Sequence, residues 1–207
     1  MVRVHPRHPD PQAPHAGAAG LPRHGDRLST TLVLGGTRSG KSAHAEGLLP
    51  ADHAVYVATA RPVDPDADPE WADRIDVHRR RRPVGWETVE DVDGRGTAET
   101  VRSRPEPVIV DDLATWVTGL LDDAGWVRDA ASVADARTDL VTAVRARTGP
   151  LVLVSAEVGL GVVPSTSAGR RFRDELGLLN ADLAAVCDEV VLLVAGLPVP
   201  LKVASAP

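Results

Sequence analysis

Eight consecutive residues constrain this chain more than any others: Gly35-Gly36-Thr37-Arg38-Ser39-Gly40-Lys41-Ser42 fits G-x-x-x-x-G-K-[ST] at every fixed position. Before it, Thr31-Leu32-Val33-Leu34 is a short apolar, β-branched run of the kind a buried parallel strand uses. After it, Ala43-His44-Ala45-Glu46-Gly47-Leu48-Leu49 can open a helix. Strand, glycine loop and helix together turn a string match into a phosphate site. Glycines let the backbone wrap closely around phosphates, and the loop N–H groups and helix N-terminus supply partial positive charge. Lys41 is then expected to reach the β- and γ-phosphates, and the Ser42 hydroxyl to ligate Mg²⁺. Lysine usage points the same way. Of 23 Lys plus Arg, only Lys41 and Lys202 are lysines, and an Arg-using chain is expected to keep a compact ammonium for a place among phosphates.

The 207 residues suit one α/β domain. Aromatic residues make up only 3 % of the chain, so its core is expected to be mostly Val, Leu and Ala. A net charge of −6 argues against nucleic-acid or anionic-membrane partners. No apolar run approaches the roughly 20 residues of a membrane span. The single cysteine, Cys187, excludes an internal disulfide and fits a reducing cytoplasm; its apolar neighbours suggest a small core residue. Residues 1–28 are rich in Pro, Gly, Ala, Arg and His, lack periodicity, and carry no apolar segment of the signal-peptide type. They read as a disordered extension ahead of a single domain over 29–207.

Strand signals recur at Ala54–Ala58, Trp86–Glu90, Val108–Val110, Leu151–Ser155, Glu189–Val194 and Val199–Val203. Helix signals fall at Pro69–Arg82, with Trp71, Ile75 and His78 on one side, and at Leu113–Leu121. Two more cover Ala130–Arg147, with Val133, Leu140, Val141 and Val144 inward, and about 20 residues from Ser167. This alternation predicts a P-loop NTPase-like α/β fold, with a mainly parallel sheet, helices on both faces and an antiparallel C-terminal strand pair. Ligands are then expected at the C-terminal strand edge.

Two clusters carry further chemistry. Asp111, directly after Val108-Ile109-Val110, stands where an acid would hold Mg²⁺ from the neighbouring strand; Asp112 is its competitor, with helix capping as the other use. His78-Arg79-Arg80-Arg81-Arg82-Pro83 is either a solvated helix face or a phosphate clamp around a nucleophile. A histidine among cations favours the neutral form, which can attack phosphorus. Arg74 and Arg82 lie four residues either side of His78, which predicts one shared helix face. Glu157 in the loop to Pro164 either contacts substrate or metal or only turns the chain. Arg170-Arg171-Phe172-Arg173 reads as a helix surface or subunit contact.

These residues resemble the bifunctional adenosylcobinamide kinase/adenosylcobinamide-phosphate guanylyltransferases of cobalamin synthesis. The likeness begins at Gly35–Glu46, similar to that family's GGxRSGKSxxAE, and continues through Val55–Ala60, Arg74–Pro83 and Trp86–Glu90. It resumes at Val110–Leu113 with Trp116–Leu121, then Glu157–Pro164, Arg170–Gly177, Asn180, Ala195–Pro198 and Lys202. The segments run in order from about residue 31 to 203. The resemblance implies phosphorylation of adenosylcobinamide by ATP or GTP, then GMP transfer from GTP through a guanylyl-histidine, here His78. It implies catalysis by His78 and Lys41, and nucleotide contacts at Gly35, Gly36, Thr37, Arg38, Ser39, Gly40, Lys41, Ser42, Thr59, Ala60, Arg61, Arg80, Arg81, Arg82, Pro83, Glu90 and Asp111. Ser42 and Asp111 would hold Mg²⁺, and the protein would be a homotrimer. The alternatives left by the residues themselves are a small-molecule kinase without nucleotidyl transfer and a nucleotide-binding switch.

Overall fold

The computed structural model describes residues 30–61, 66, 68–91, 94–128 and 130–204, so the extension expected over 1–28 lies outside the described residues. Strand β1 (Thr30–Gly35) leads into α1 (Lys41–Glu46), followed by β2 (Ala54–Ala58), α2 (Pro69–Arg81) and β3 (Trp86–Glu90). Next come α3 (Gly96–Ser103), β4 (Val108–Asp111), α4 (Leu113–Asp123), α5 (Ala131–Ala146) and β5 (Leu151–Ala156). Helix α6 (Ser167–Val186) precedes the hairpin of β6 (Glu189–Val194) and β7 (Leu197–Lys202). The seven strands order as β3-β2-β4-β5-β1-β6-β7. Every pairing from β3 to β6 is parallel, and β7 alone runs antiparallel, against β6. The predicted fold class is borne out.

Strands β1, β2 and β4 are buried along their whole length because both sheet faces are covered. Side chains alternate between two cores, as strand geometry requires. Leu32, Leu34, Val55, Val57, Val108, Val110, Leu151 and Leu153 pack with α3, α4, α5 and α6. Val33, Tyr56, Ile109, Val152 and Val154 point to the other face, where Ala45 and Leu49 at the α1 end meet Trp86. Cys187 is buried in the first core, and burial pushes its thiol up to about 12.

Several expectations need correction. Helix α2 stops at Arg81, and Arg82 turns to extended backbone (φ −63°, ψ 135°) because Pro83 disfavours helix in the residue before it. The helix expected to open after the glycine loop is α1, which ends at Glu46 with Gly47 as its C-cap. Nothing in the hydrophobic pattern announced α3. Its first turn is held by Asp91, which accepts from the Gly96 and Thr97 N–H groups at 3.0 and 2.8 Å and from the Thr97 hydroxyl. Val141 packs half-buried at the core's edge rather than inside it. The most informative correction concerns Lys202, whose ammonium donates to the carbonyls of Ala184, Ala185 and Cys187 at 3.1, 3.2 and 2.5 Å. The second lysine therefore sits among helix-terminal carbonyls, not phosphates.

Candidate active site at the C-terminal strand edge

The carboxyl ends of β1, β2, β4 and β5 deliver the glycine loop, Thr59, Asp111 and Glu157 to one edge of the sheet. In the loop, Arg38 and Gly40 have left-handed backbone, with φ of 57° and 88°. Gly40 meets that demand without strain as the N-cap of α1. Gly35 is required for close approach: a Cβ there would lie 2.4 Å from Ser39 Oγ. That Ser39 hydroxyl is buried and has no hydrogen-bond partner among the described residues. The β6–β7 turn, with Ala195 and Gly196 both left-handed, closes on the loop from outside, and Gly196 N–H donates to Ser39 O at 3.0 Å. Lys41 is buried at the start of α1.

Asp111 is the hub of the site. Its Oδ1 accepts from Ser42 Oγ at 3.3 Å, and its Oδ2 accepts from the Tyr56 hydroxyl at 2.6 Å. His78 Nδ1 faces the same Oδ2 at 3.7 Å, which is ion-pair range. Burial alone would raise this carboxyl, but His78 and Tyr56 on one oxygen outweigh it and hold it below the usual aspartate value. Asp112 takes the other job left open by the sequence. It is the N-cap of α4, accepting from Ala114 N–H at 2.5 Å, and burial followed by the Asp111 charge raises its carboxyl. Thr59 Oγ1 locks this corner, donating to Asp112 O at 2.7 Å and accepting from Asp112 N–H at 3.0 Å.

The arginine cluster separates into individual contacts. Arg81 pairs with Glu46 of α1 at 3.2 Å, Arg79 with Glu90 at 3.1 Å, and Arg80 with Asp76 one turn back at 3.3 Å. Arg82, off the helix, lays its guanidinium 4.0 Å over the Tyr56 ring and donates to Thr88 Oγ1 at 3.2 Å. It therefore does not share a helix face with His78, as its spacing predicted; it reaches the same neighbourhood from the following turn. The Arg74 side chain lies outside the described positions. Arg61 turns toward α4, donating to Gly119 O at 3.0 Å and pairing with Asp123 at 2.6 Å. Trp71, Ile75 and His78 do form the less exposed side of α2.

Residues 31–201 match the family described as cobinamide kinase / cobinamide phosphate guanyltransferase. The chain is 40 % identical over 176 residues to the bifunctional adenosylcobalamin biosynthesis protein CobP of Pseudomonas aeruginosa, covering 83 % of this chain and 96 % of that one. It is 37 % identical over 182 residues to the protein of the same description, CobU, of Escherichia coli, covering 83 % and 98 %. The chain belongs to this family. Among solved structures, the RadB recombinase is similar at 16 % identity and a TM-score of 0.43, covering 80 % of this chain and 74 % of that one.

Several segments that carry the family resemblance hold the site in shape rather than line it. Asn180 is buried on α6, where Oδ1 accepts from Ser155 Oγ at 2.6 Å and Nδ2 donates to Ala156 O at 3.0 Å. It fixes the end of β5 beside the glycine loop. Glu157 N–H donates to Gly35 O at 3.2 Å, while its carboxylate accepts from Gly159 N–H at 2.6 Å and so closes its own turn. Arg170 donates to Pro164 O and Ser165 O, Arg171 to Trp126 O and Arg173 to Gly161 O, tying loops to α6. The sequence reading missed Tyr56 and Glu46 as site neighbours. Their signals were faint: Tyr56 is the single tyrosine of the chain, set in an otherwise aliphatic strand, and Glu46 follows the loop by one helical turn.

Proposed function

We propose that this chain phosphorylates the hydroxyl of adenosylcobinamide with ATP or GTP, then transfers GMP from GTP to that phosphate through a guanylyl-histidine at His78. Family membership supports the reaction class. The observation that carries the histidine step is the convergence of His78 and Ser42 on the two oxygens of Asp111. A histidine on a separate helix thereby stands beside the phosphate-binding loop.

The donor set fits a divalent cation. Ser42 Oγ and Asp111 Oδ1 are hard oxygen ligands 3.3 Å apart, and no cluster of three or more His, Cys, Asp or Glu exists among the described residues. Such a site suits Mg²⁺, which takes few protein ligands and completes its shell with substrate phosphates and water. Bound there, it would neutralise charge on the phosphate oxygens. The loop N–H groups and Lys41 hold the β- and γ-phosphates, and the orphaned Ser39 hydroxyl supplies another donor in the same cradle. In the second reaction His78 attacks the α-phosphorus and pyrophosphate leaves, its charge met by Lys41 and the arginines. The cobinamide phosphate then attacks the phosphoramidate and frees His78. We also assign Thr59, Ala60, Arg80, Arg81, Arg82, Pro83 and Glu90 to the nucleotide, with Arg61 at its margin.

A homotrimer belongs to the same reading. Leu197, Val199 and Leu201 on β7, with Val203 just past its end, leave an exposed apolar stripe that subunit contact would cover. We place the enzyme in the cytoplasm on the same reading; no described helix is long and apolar enough to cross a membrane.

The test is incubation with GTP labelled at the α-phosphate, Mg²⁺ and no cobinamide, beside His78→Ala. An acid-labile, alkali-stable label on the unsubstituted protein alone is expected. Nucleotide binding without label would leave a simple kinase.

A further inference from the structure

Asp111 presents one oxygen to the phosphate loop and the other to His78, and the second oxygen is not free to turn. The Tyr56 hydroxyl donates to Oδ2 at 2.6 Å from the floor of the site, and Tyr56 is itself buried within strand β2. Its ring is held from below by Trp86, at a centroid distance of 6.4 Å, and is covered by the Arg82 guanidinium. The phenolic O–H is the donor in this contact and the carboxylate oxygen the acceptor. The Asp111 side chain is only 3 % exposed and that of His78 is 32 % exposed, so one ring edge is turned inward and the rest of the ring reaches the open site.

We propose that Tyr56 is a positioning residue for the histidine step: by fixing Asp111 Oδ2 against His78 Nδ1, it keeps the proton on Nδ1 and presents the Nε2 lone pair to the α-phosphorus. The inference rests on the guanylyl-histidine reading and adds which nitrogen carries the nucleotide. In the forward step the Nε2 lone pair forms the N–P bond. The bond from the α-phosphorus to the bridging oxygen breaks, and its electron pair leaves with pyrophosphate. The Nδ1 proton stays on the ring, where the carboxylate faces the positive charge that the phosphoramidate places on the imidazole. In the return step a cobinamide-phosphate oxygen forms the new bond to phosphorus, and Nε2 recovers its pair. A separation of 3.7 Å is longer than a hydrogen bond, and such contacts tighten when substrate closes the site. Tyr56 never touches substrate in this scheme; it acts through Asp111.

Histidine-¹⁵N-labelled full-length protein tests the proposal in two states. In the resting enzyme, at a pH where the ring is neutral, His78 is expected as the Nδ1–H tautomer; a dominant Nε2–H tautomer would overturn the proposal whether or not a label forms. After guanylylation, ³¹P–¹⁵N coupling is expected at Nε2, and coupling at Nδ1 would overturn it. Tyr56→Phe keeps the ring under Arg82 and removes only the hydroxyl. It is expected to lower the rate of guanylylation by about tenfold, the usual scale for losing an orienting partner, with the GTP KM and the kinase rate changed less than about threefold. Equal losses in both reactions, or no loss in either, would assign Tyr56 to packing alone. Absence of any histidine label together with the Nδ1–H tautomer would defeat the underlying reading instead, leaving the Asp111–His78 orientation standing.

Discussion

Helix α1 begins at the glycine loop, buries Lys41 and Ala45, and rests on the core through Ala45, with Leu49 packing just beyond its end. Helix α2 carries His78, the proposed nucleophile, yet none of its described side chains is buried. Its ties are polar: Arg81 to Glu46, His78 to Asp111, and Arg79 to Glu90 across its flank. The exposed pair among them, Arg79–Glu90, is of a kind that contributes roughly 0–1 kcal/mol, whereas one fully buried leucine contributes about 1.5–3 kcal/mol. The phosphate site is thus built into the rigid body of the domain, and the histidine is attached to it by contacts that water can replace. A two-step enzyme benefits from that division. On the proposed mechanism the nucleotide cradle would serve both reactions unchanged, while the helix bearing His78 would yield space to a large second substrate.

The strongest test of the contrast is Lys41→Ala. Both reactions should fall by about 10²- to 10³-fold, the cost of one preorganised cation on transferring phosphate, whereas His78→Ala should remove only guanylyl transfer. Kinase activity surviving in Lys41→Ala would dissolve the distinction between a shared cradle and a single-purpose helix. Stability should show the same asymmetry. Leu153→Ala, in a fully buried central strand, should cost about 2–5 kcal/mol in urea unfolding. Trp71→Ala on α2 should cost clearly less, in line with a half-buried site; comparable losses would contradict a loosely held α2.

Glu46→Gln sharpens the comparison at the joint between the helices. Removing the charge that Arg81 meets should speed amide exchange over residues 69–81 by roughly tenfold, the equivalent of one charge-assisted hydrogen bond. Exchange in β1 and β4 should stay unchanged. The smallest effect concerns pH. Asp111 has a depressed pKa, so the stability it provides is present at neutral pH and is lost as pH falls through its folded value. Glu46 has a raised one, caused by burial and only partly opposed by Arg81, so its ionisation opposes folding as pH rises and is relieved in acid. Below about pH 3.8 Asp111→Asn should flatten the acid loss of stability, and above about pH 4.5 Glu46→Gln should steepen it. Parallel slopes for the two variants in urea titrations would break the assignment.

How much of this was legible beforehand varied with the range of the interaction. The glycine loop, the strands and the long α6 followed from local pattern, because closely spaced residues define a phosphate turn or a buried apolar run. Asp111 was placed at the sheet edge by its position after Val108-Ile109-Val110, but spacing left Asp112 as a rival until capping of Ala114 N–H occupied it. Helix α3 was not legible, since it is short and its first turn is satisfied by Asp91 from outside the helix. The lysine argument failed for Lys202, because scarcity says that a residue is special without saying what it meets.

By itself, then, the sequence determined a nucleotide-loop α/β domain and its family, since both are written in short-range order: a turn geometry, a strand period and a succession of motifs. Only the tertiary structure decided which groups share an oxygen atom. Tyr56, His78 and Ser42 come from a strand and two helices and meet on Asp111 from a fourth element. A parallel sheet brings such distant residues to one edge through strand order, and strand order is set by packing of whole faces rather than by any local run of residues.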